Sequence, residues 1–338
     1  MPFRDLIGHR RLVGLLSRSV LRASLPPSLI FAGAAGIGKR VAALATAQAM
    51  NCLAPTLGTD IIELDACGVC SACKRIQRGV HPDVLIVEPG DNGSIKIEQV
   101  RDIVDRAAYR PFEGRRRVVI VDDADALVGA AQNALLKTLE EPPPSSVFIL
   151  VTSRPDVLLP TVRSRCPVLR FRPLGPSDIA AALVARGHSE AEARAVAASA
   201  DGSLGRALEA SAGDLVEARD VAQQVLAHAA SSDDPRRRIE GAKDLLAKTG
   251  AGGAEDREQV ASHLRAMESL LRDVELLSTR ADVRVLANPD VQPALERLAR
   301  TYQGERGIRA FTAVDRALMA LERNAGVKIV ADWLVLQL

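Results

Sequence analysis

The chain has 338 residues, with 44 Lys and Arg against 42 Asp and Glu, a balance too even to give the whole surface an affinity for nucleic acid. Apolar residues make up 47% but aromatics only 3%, so Ala, Leu and Val dominate and closely packed helices are expected. The length allows two or three compact units, and charges interrupt the apolar stretches, which excludes a signal-peptide core or a membrane span; the expected location is the cytoplasm.

Short, β-rich apolar runs recur through the first half at Leu29 to Phe31, Val84 to Val87, Val118 to Val121, Val147 to Val151 and Val168 to Phe171. Their near-continuous hydrophobicity suits parallel strands covered on both faces. The intervening Lys39 to Met50 and Ile97 to Tyr109 have helical spacing, so the pattern predicts an α/β domain of βαβ type. After about Pro173 no strand pattern returns, and helices follow with breaks at Gly187-His188, Asp201-Gly202, Ser231 to Asp234 and Gly250 to Gly253. A division near Ala212 gives three expected units, residues 1–173, 174–212 and 213–338.

Directly after the first strand stands Gly33-Ala34-Ala35-Gly36-Ile37-Gly38-Lys39-Arg40, the strand-loop-helix context of a phosphate-binding P-loop. Its glycines let backbone amides wrap phosphate oxygens, and Lys39 would reach the β and γ phosphates. The last position of that motif supplies a hydroxyl to magnesium, whereas Arg40 has donors and no acceptor, so Mg2+ is not expected. An apolar strand ending in Asp122 and Asp123 supplies the acidic half of a nucleotide site, with Asp122 where a metal-linked carboxylate belongs. Asp123 stands where a Glu would orient the attacking water, and it falls roughly 1 to 1.5 Å short. Hydrolysis is therefore doubly compromised, ATP binding without turnover stays open, and a simple tight turn is the bland alternative.

Four of the five cysteines, Cys52, Cys67, Cys70 and Cys73, form a C-x14-C-x2-C-x2-C array. In a reducing compartment that clustering favours one tetrahedral, structural Zn2+ over disulfides, with no open position for catalysis. Free thiols are the alternative; a knuckle gripping nucleic acid is disfavoured because the enclosed segment lacks aromatics to stack on bases. Cys166 is remote from the cluster and reads as a small packed residue.

His81-Pro82-Asp83, the run from Asn133 to Pro143 around Leu-Leu-Lys-Thr-Leu-Glu-Glu-Pro-Pro, and Ser164-Arg165-Cys166 follow in the order of a known family. In these motifs the chain resembles the AAA+ clamp-loader subunits of bacterial DNA polymerase III over nearly its whole length. The resemblance implies an AAA+ domain with an inserted zinc knuckle at 52–73, then a small helical lid and an all-α collar that joins subunits. It assigns Arg165 the role of an arginine finger acting on a neighbour's ATP, and Thr152 that of a sensor of γ-phosphate. It lays Phe3, Leu6, Ile7 and Gly8 over the nucleotide base, and puts Gly205 where motor subunits carry a sensor arginine, with Arg206 one residue off. Expected partners are gamma/tau and delta subunits and, through them, the β sliding clamp and primed DNA.

Three departures, at Arg40, Asp123 and Gly205, fall on the chain's own hydrolysis while the outgoing Arg165 is kept. The pattern suits a non-hydrolysing stator; an active gamma/tau-like ATPase is the alternative, and a zinc-dependent nucleic-acid module the third. The basic triplets Arg115 to Arg117 and Arg236 to Arg238 are expected to be solvated surface.

Overall fold

A computed structural model describes residues 1–58, 61–90, 92–209, 212–231, 234–246, 253–279, 286–322 and 325–338. Contacts divide the chain into two compact units, Met1–Leu174 and Gly175–Leu338.

In the first unit the five apolar runs become β1 (Ser28–Ala32), β4 (Val84–Val87), β5 (Arg117–Val121), β6 (Ser146–Thr152) and β7 (Val168–Arg170). They form one parallel sheet in the order β4-β5-β6-β1-β7. Every residue of β1, β5 and β6 is buried, as strands sandwiched between helices require. Alternate side chains build two cores. Leu29, Phe31, Val118, Ile120, Val147 and Ile149 pack with Val13 and Leu16 of α1 (Arg10–Leu21) and the alanines of α2 (Lys39–Asn51). Ile30, Val119, Val121, Phe148 and Leu150 pack with Val100 and Ile103 of α4 (Ile97–Ala108) and Leu135 and Leu139 of α5 (Gly129–Glu140). Each fully buried branched side chain contributes roughly 1.5–3 kcal/mol of transfer free energy, so the sheet is the stable platform for the loops at its ends.

From β1 the chain crosses to β4 at the far edge, steps back through β5 and β6, and passes over β1 to β7. The adjacent strands β6 and β1 thus send their connections in opposite directions, the switch point beyond whose carboxyl ends open α/β sheets place their ligands. The C-terminal ends of β1, β5 and β6 present Gly33, Asp122 and Thr152 along that edge, with Ala32 in register with Thr152.

Three details depart from expectation. Between α2 and β4 lie a hairpin, β2 (Thr56–Leu57) and β3 (Leu64–Asp65), and helix α3 (Ser71–Gln77), which periodicity over so few residues does not reveal. Leu135, Leu136 and Leu139 read in sequence as one apolar helix face, but Leu136 is only partly buried. Arg117 is not solvated surface: it is 8% exposed, and its guanidinium donates to Asp83 Oδ1 at 2.9 Å.

The second unit is helical throughout its described residues: α7 (Pro176–Val184), α8 (Glu190–Ser199), α9 (Leu204–Glu209), α10 (Ala212–Ser231), α11 (Pro235–Leu245), α12 (Ala254–Ser278), α13 (Gln292–Ala299), α14 (Glu305–Glu322) and α15 (Val327–Gln337). The expected breaks at Gly187-His188 and Asp201-Gly202 fall between helices; most of those at 231–234 and 250–253 lies outside the described residues. Val225, Leu226, Leu264, Met267, Leu270, Leu295 and Leu334 centre its core, and the Tyr302 hydroxyl donates to the carbonyl of Leu226 at 3.0 Å. The buried Asp273 carboxylate accepts from the N–H groups of Ala287 and Asn288 and from Asn288 Nδ2, anchoring the segment before α13. Among the described residues no helix is long and apolar enough to cross a membrane.

Candidate functional site

The loop between β1 and α2 is shaped by its glycines. Gly33 has φ 153°, and a Cβ there would stand 2.5 Å from the Phe171 carbonyl oxygen, so only glycine fits. Gly36 and Gly38, at φ 72° and 100°, adopt left-handed turns that L side chains resist. The loop delivers Lys39 to the first turn of α2, where its Nζ donates to the carbonyls of Gly33 at 2.7 Å and Ala34 at 2.6 Å. Burial lowers the Lys39 pKa, opposed by Asp123, Asp122 and Asp125. An ammonium that satisfies itself on its own loop sits at the place where phosphate oxygens would take over those donors.

Arg40 turns towards the acidic edge. Its Nη1 donates to Asp122 Oδ2 at 2.7 Å and also pairs with Glu88, the residue after β4. Burial disfavours its charge, but Asp122 and Glu88 outweigh burial and raise its pKa. The carboxylate in the metal-linked position therefore has a cation from the chain itself. Asp123 follows in a left-handed conformation, φ 46°, exposed, with its pKa raised by partial burial and by the neighbouring carboxylates of Asp122 and Asp125.

Thr152 ends β6 fully buried, and its hydroxyl donates to Asp125 Oδ1 at 2.6 Å while accepting from the N–H of Arg154 at 3.0 Å. Arg154 Nε adds 3.0 Å to Asp125 Oδ2. Burial opposes ionisation of Asp125, but the Thr152 and Arg154 bonds prevail and lower its pKa. Glu88, Asp125 and Arg154 were not singled out from sequence. Asp125 belongs to the same acidic run and Glu88 and Arg154 stand at strand C-termini, the position that carried the signal for Asp122.

The cysteine insertion has the opposite character. The sulfurs of Cys52, Cys67, Cys70 and Cys73 lie within 4.8 Å of one another, and those of Cys52 and Cys70 are 3.9 Å apart. Four thiolates about 2.3 Å from one zinc stand about 3.8 Å apart, so the donor set fits a tetrahedral ion. Backbone N–H groups already point at sulfur: Cys67 N to Cys52 Sγ at 3.2 Å, Cys70 N to Cys67 Sγ at 3.3 Å, Cys73 N to Cys70 Sγ at 3.5 Å. Burial raises the pKa of the Cys70 thiol, but hydrogen bonds from the Cys73 and Leu53 backbones and from neighbouring thiols outweigh it and bring it down to about 6; burial raises Cys52 and Cys73.

The insertion is stapled to the N-terminus. Asp65, at the end of β3, accepts from the N–H groups of Phe3 (2.7 Å) and Arg4 (3.1 Å), and Arg4 Nη groups donate to the carbonyls of Ala66 and Cys67. Phe3 is thereby buried against the sheet; further along, Gly8 and His9 turn left-handed and His9 Nε2 lies 2.9 Å from the Ile37 carbonyl of the glycine loop. Leu6 is partly buried beside the same core.

Arg165, after the short α6 (Pro160–Arg163), is held on the surface: Nε donates to Glu140 Oε1 at 2.7 Å and Nη1 to the Thr161 carbonyl at 2.7 Å. Cys166 beside it is buried, its thiol pushed up to about 12 by burial. In the second unit Gly205 lies in α9, and Arg206 is occupied locally, donating to the Ala200 carbonyl at 2.8 Å. His81 and Asp83 form a structural knot: the fully buried Asp83 carboxylate accepts from the N–H groups of Phe112, Glu113 and Gly114 and from Arg117. Burial works against that charge, but those bonds bring the Asp83 pKa down to about 2.

Residues 8–175 match the family described as DNA polymerase III, delta subunit. A DNA polymerase III subunit delta' of Bacillus subtilis is 35% identical over 187 residues, 55% of this chain and 54% of that protein. The subunit delta' of Pseudomonas aeruginosa is 39% identical over 43% of each chain, and a gamma/tau subunit of Mycobacterium tuberculosis 34% identical over 54% of this chain and 30% of its own length. The chain thus spans about half the length, or less, of the curated relatives it matches.

Proposed function

We propose, from the match of residues 8–175 to the DNA polymerase III delta subunit family, that the chain is a clamp-loader subunit of the delta-prime kind. On this reading it is a stator in a ring with gamma/tau and delta subunits, which together load the β sliding clamp onto primed DNA. Residues 174–212 are its helical lid and 213–338 its collar.

The observation that carries the stator reading is the guanidinium of Arg40 on Asp122 and Glu88. Magnesium bridges the β and γ phosphates in active sites of this class and draws in a carboxylate and a hydroxyl. Here the carboxylate is already neutralised, the hydroxyl is replaced by a donor, and Asp123 is too short to aim water from its left-handed backbone. Lys39 and the glycine loop remain able to receive phosphate without a metal. Outgoing catalysis falls to Arg165: the exposed carboxylate of Glu140 and the Thr161 carbonyl hold it, and the multiply charged γ-phosphate of a neighbour outcompetes that hold. The four cysteines keep the insertion folded around Zn2+ and take no chemical part.

A gamma/tau-like motor is the second reading, favoured by the complete glycine loop with Lys39 and by the 34% identity to a gamma/tau subunit. Steady-state ATP hydrolysis separates the two. The stator reading expects no turnover by the chain alone with Mg2+ and primed DNA, and a gain on adding it to the motor subunits that Arg165→Ala abolishes. Clear turnover by the isolated chain would make it a motor.

A further inference from the structure

We propose that the loop from Tyr109 to Arg116, which joins α4 to β5, receives single-stranded nucleic acid, with Tyr109 and Phe112 as the surfaces on which its bases stack. Tyr109 is 71% exposed and Phe112 82%, the highest exposure among the described large hydrophobic residues. Apolar side chains scattered singly over a surface need no explanation. Two rings three residues apart, in a chain whose aromatic content is 3%, are a concentration of what the core has kept for itself.

The loop holds these rings out on a fixed backbone. The N–H groups of Phe112, Glu113 and Gly114 donate to the fully buried Asp83 carboxylate at 2.7, 2.9 and 2.8 Å, and the N–H of Arg116 donates to Asn51 Oδ1 at 3.0 Å. Arg117 Nη2 donates to the carbonyl of Arg110 at 3.1 Å. A Cβ on Gly114 would stand 2.6 Å from Asn51 Oδ1, so the backbone is seated closely on the end of α2. A stacking ligand therefore meets rings whose backbone is already ordered.

Charge alternates with the rings. Arg110, between them, and Arg115, beyond them, are exposed and form no ion pair with a described residue. The loop's own acid, Glu113, is engaged by Arg75 at 2.6 Å and by His81 at 3.3 Å. Planar guanidiniums pair with phosphate oxygens, and every base has a face that an aromatic ring can cover. A duplex keeps its base faces covered, an acidic peptide would use the arginines without the rings, and an apolar protein cleft the rings without the arginines. Ring and guanidinium in alternation favour an unpaired strand, and the site is independent of whether the P-loop turns over ATP.

The whole protein is titrated with a fluorescein-labelled oligo-dT of about twelve nucleotides, followed by fluorescence anisotropy. Saturable binding is expected at low salt. The double variant Tyr109→Leu, Phe112→Leu, at two exposed positions, is expected to bind about tenfold more weakly or worse with an unchanged thermal midpoint, whereas Phe112→Trp keeps affinity within a few-fold. Arg110→Ala with Arg115→Ala is expected to flatten the slope of log affinity against log salt by about 1.4, the value for two phosphates on a single strand. Absence of an anisotropy change at low salt would overturn the assignment. So would binding that the leucine variant leaves intact, a salt slope that the arginine variant leaves unchanged, or equal affinity for a duplex of the same length or for polyglutamate.

Discussion

The glycine loop and the cysteine insertion, neighbours in the first unit, are candidate ligand sites built on opposite principles. Around the loop the chain answers its own polar groups: Lys39 rests on two carbonyls, Arg40 on two carboxylates and Thr152 on Asp125. In the insertion four sulfurs converge within 4.8 Å of one another, and the N-terminal ammonium of Met1 acts on Cys73 from nearby. A site that satisfies itself has little to gain from a ligand, whereas one that gathers four thiols in one place has most to gain from a metal. The difference teaches where ligand dependence should be sought in this chain.

The sharpest way to break the contrast is to remove a thiolate. Cys73→Ser should abolish a stoichiometric bound zinc and lower the thermal midpoint by about 10 °C or more, because the ion's binding energy is part of the folding energy of the insertion. Metal analysis with a melting curve checks both, and a zinc-free wild type that melts unchanged would end the comparison.

Asp83 supplies a reference for what a fully self-satisfied charge is worth. Its pKa in the folded chain is about 2, below the ordinary carboxylate value, so its stabilisation is complete above pH 4 and is lost as pH falls towards 2. About 2 kcal/mol should disappear over that window in wild type, and Asp83→Asn should show a smaller loss there; acid titrations of denaturant unfolding measure it.

Arg40→Thr sharpens the other side. Freed from the guanidinium, Asp122 should accept magnesium, and ATP binding should become Mg2+-dependent and about tenfold tighter, roughly 1.4 kcal/mol. Hydrolysis should stay low until Asp123→Glu is added. Calorimetric titration with and without Mg2+ decides it, and equal affinity in both conditions would show that Arg40 does not stand in for the ion. The smallest effect is at Thr152→Val, which keeps the volume and deletes the bond to Asp125; a loss of about 1 kcal/mol in stability is expected from unfolding curves.

Much of this was legible in the sequence because it is local. Strands β1, β5 and β6 are continuous apolar runs, and Arg40, Asp122, Asp123 and the cysteines are read by spacing within a few residues of an element's end. What was hidden is pairing across the fold. Arg117 looks like one of three surface arginines, and only the sheet shows that it closes on Asp83, 34 residues earlier. Glu140 holds Arg165 across 25 residues, and Glu88 meets Arg40 across two strands, contacts that no periodicity encodes. The hairpin β2-β3 is too short for a two-residue repeat to register, and its register rests on Asp65 capturing the N-terminal amides.

The bridge from Arg40 to both Asp122 and Glu88 also bears on how such a loop can change over generations. Replacing Arg40 alone strands two carboxylates beside Asp123, whose own ionisation is already disfavoured by its acidic neighbours. Replacing Asp123 alone lengthens a side chain on a left-handed backbone. On the stator reading, either change alone leaves the other position unsuited to turnover, so Arg40 and Asp123 are expected to change together.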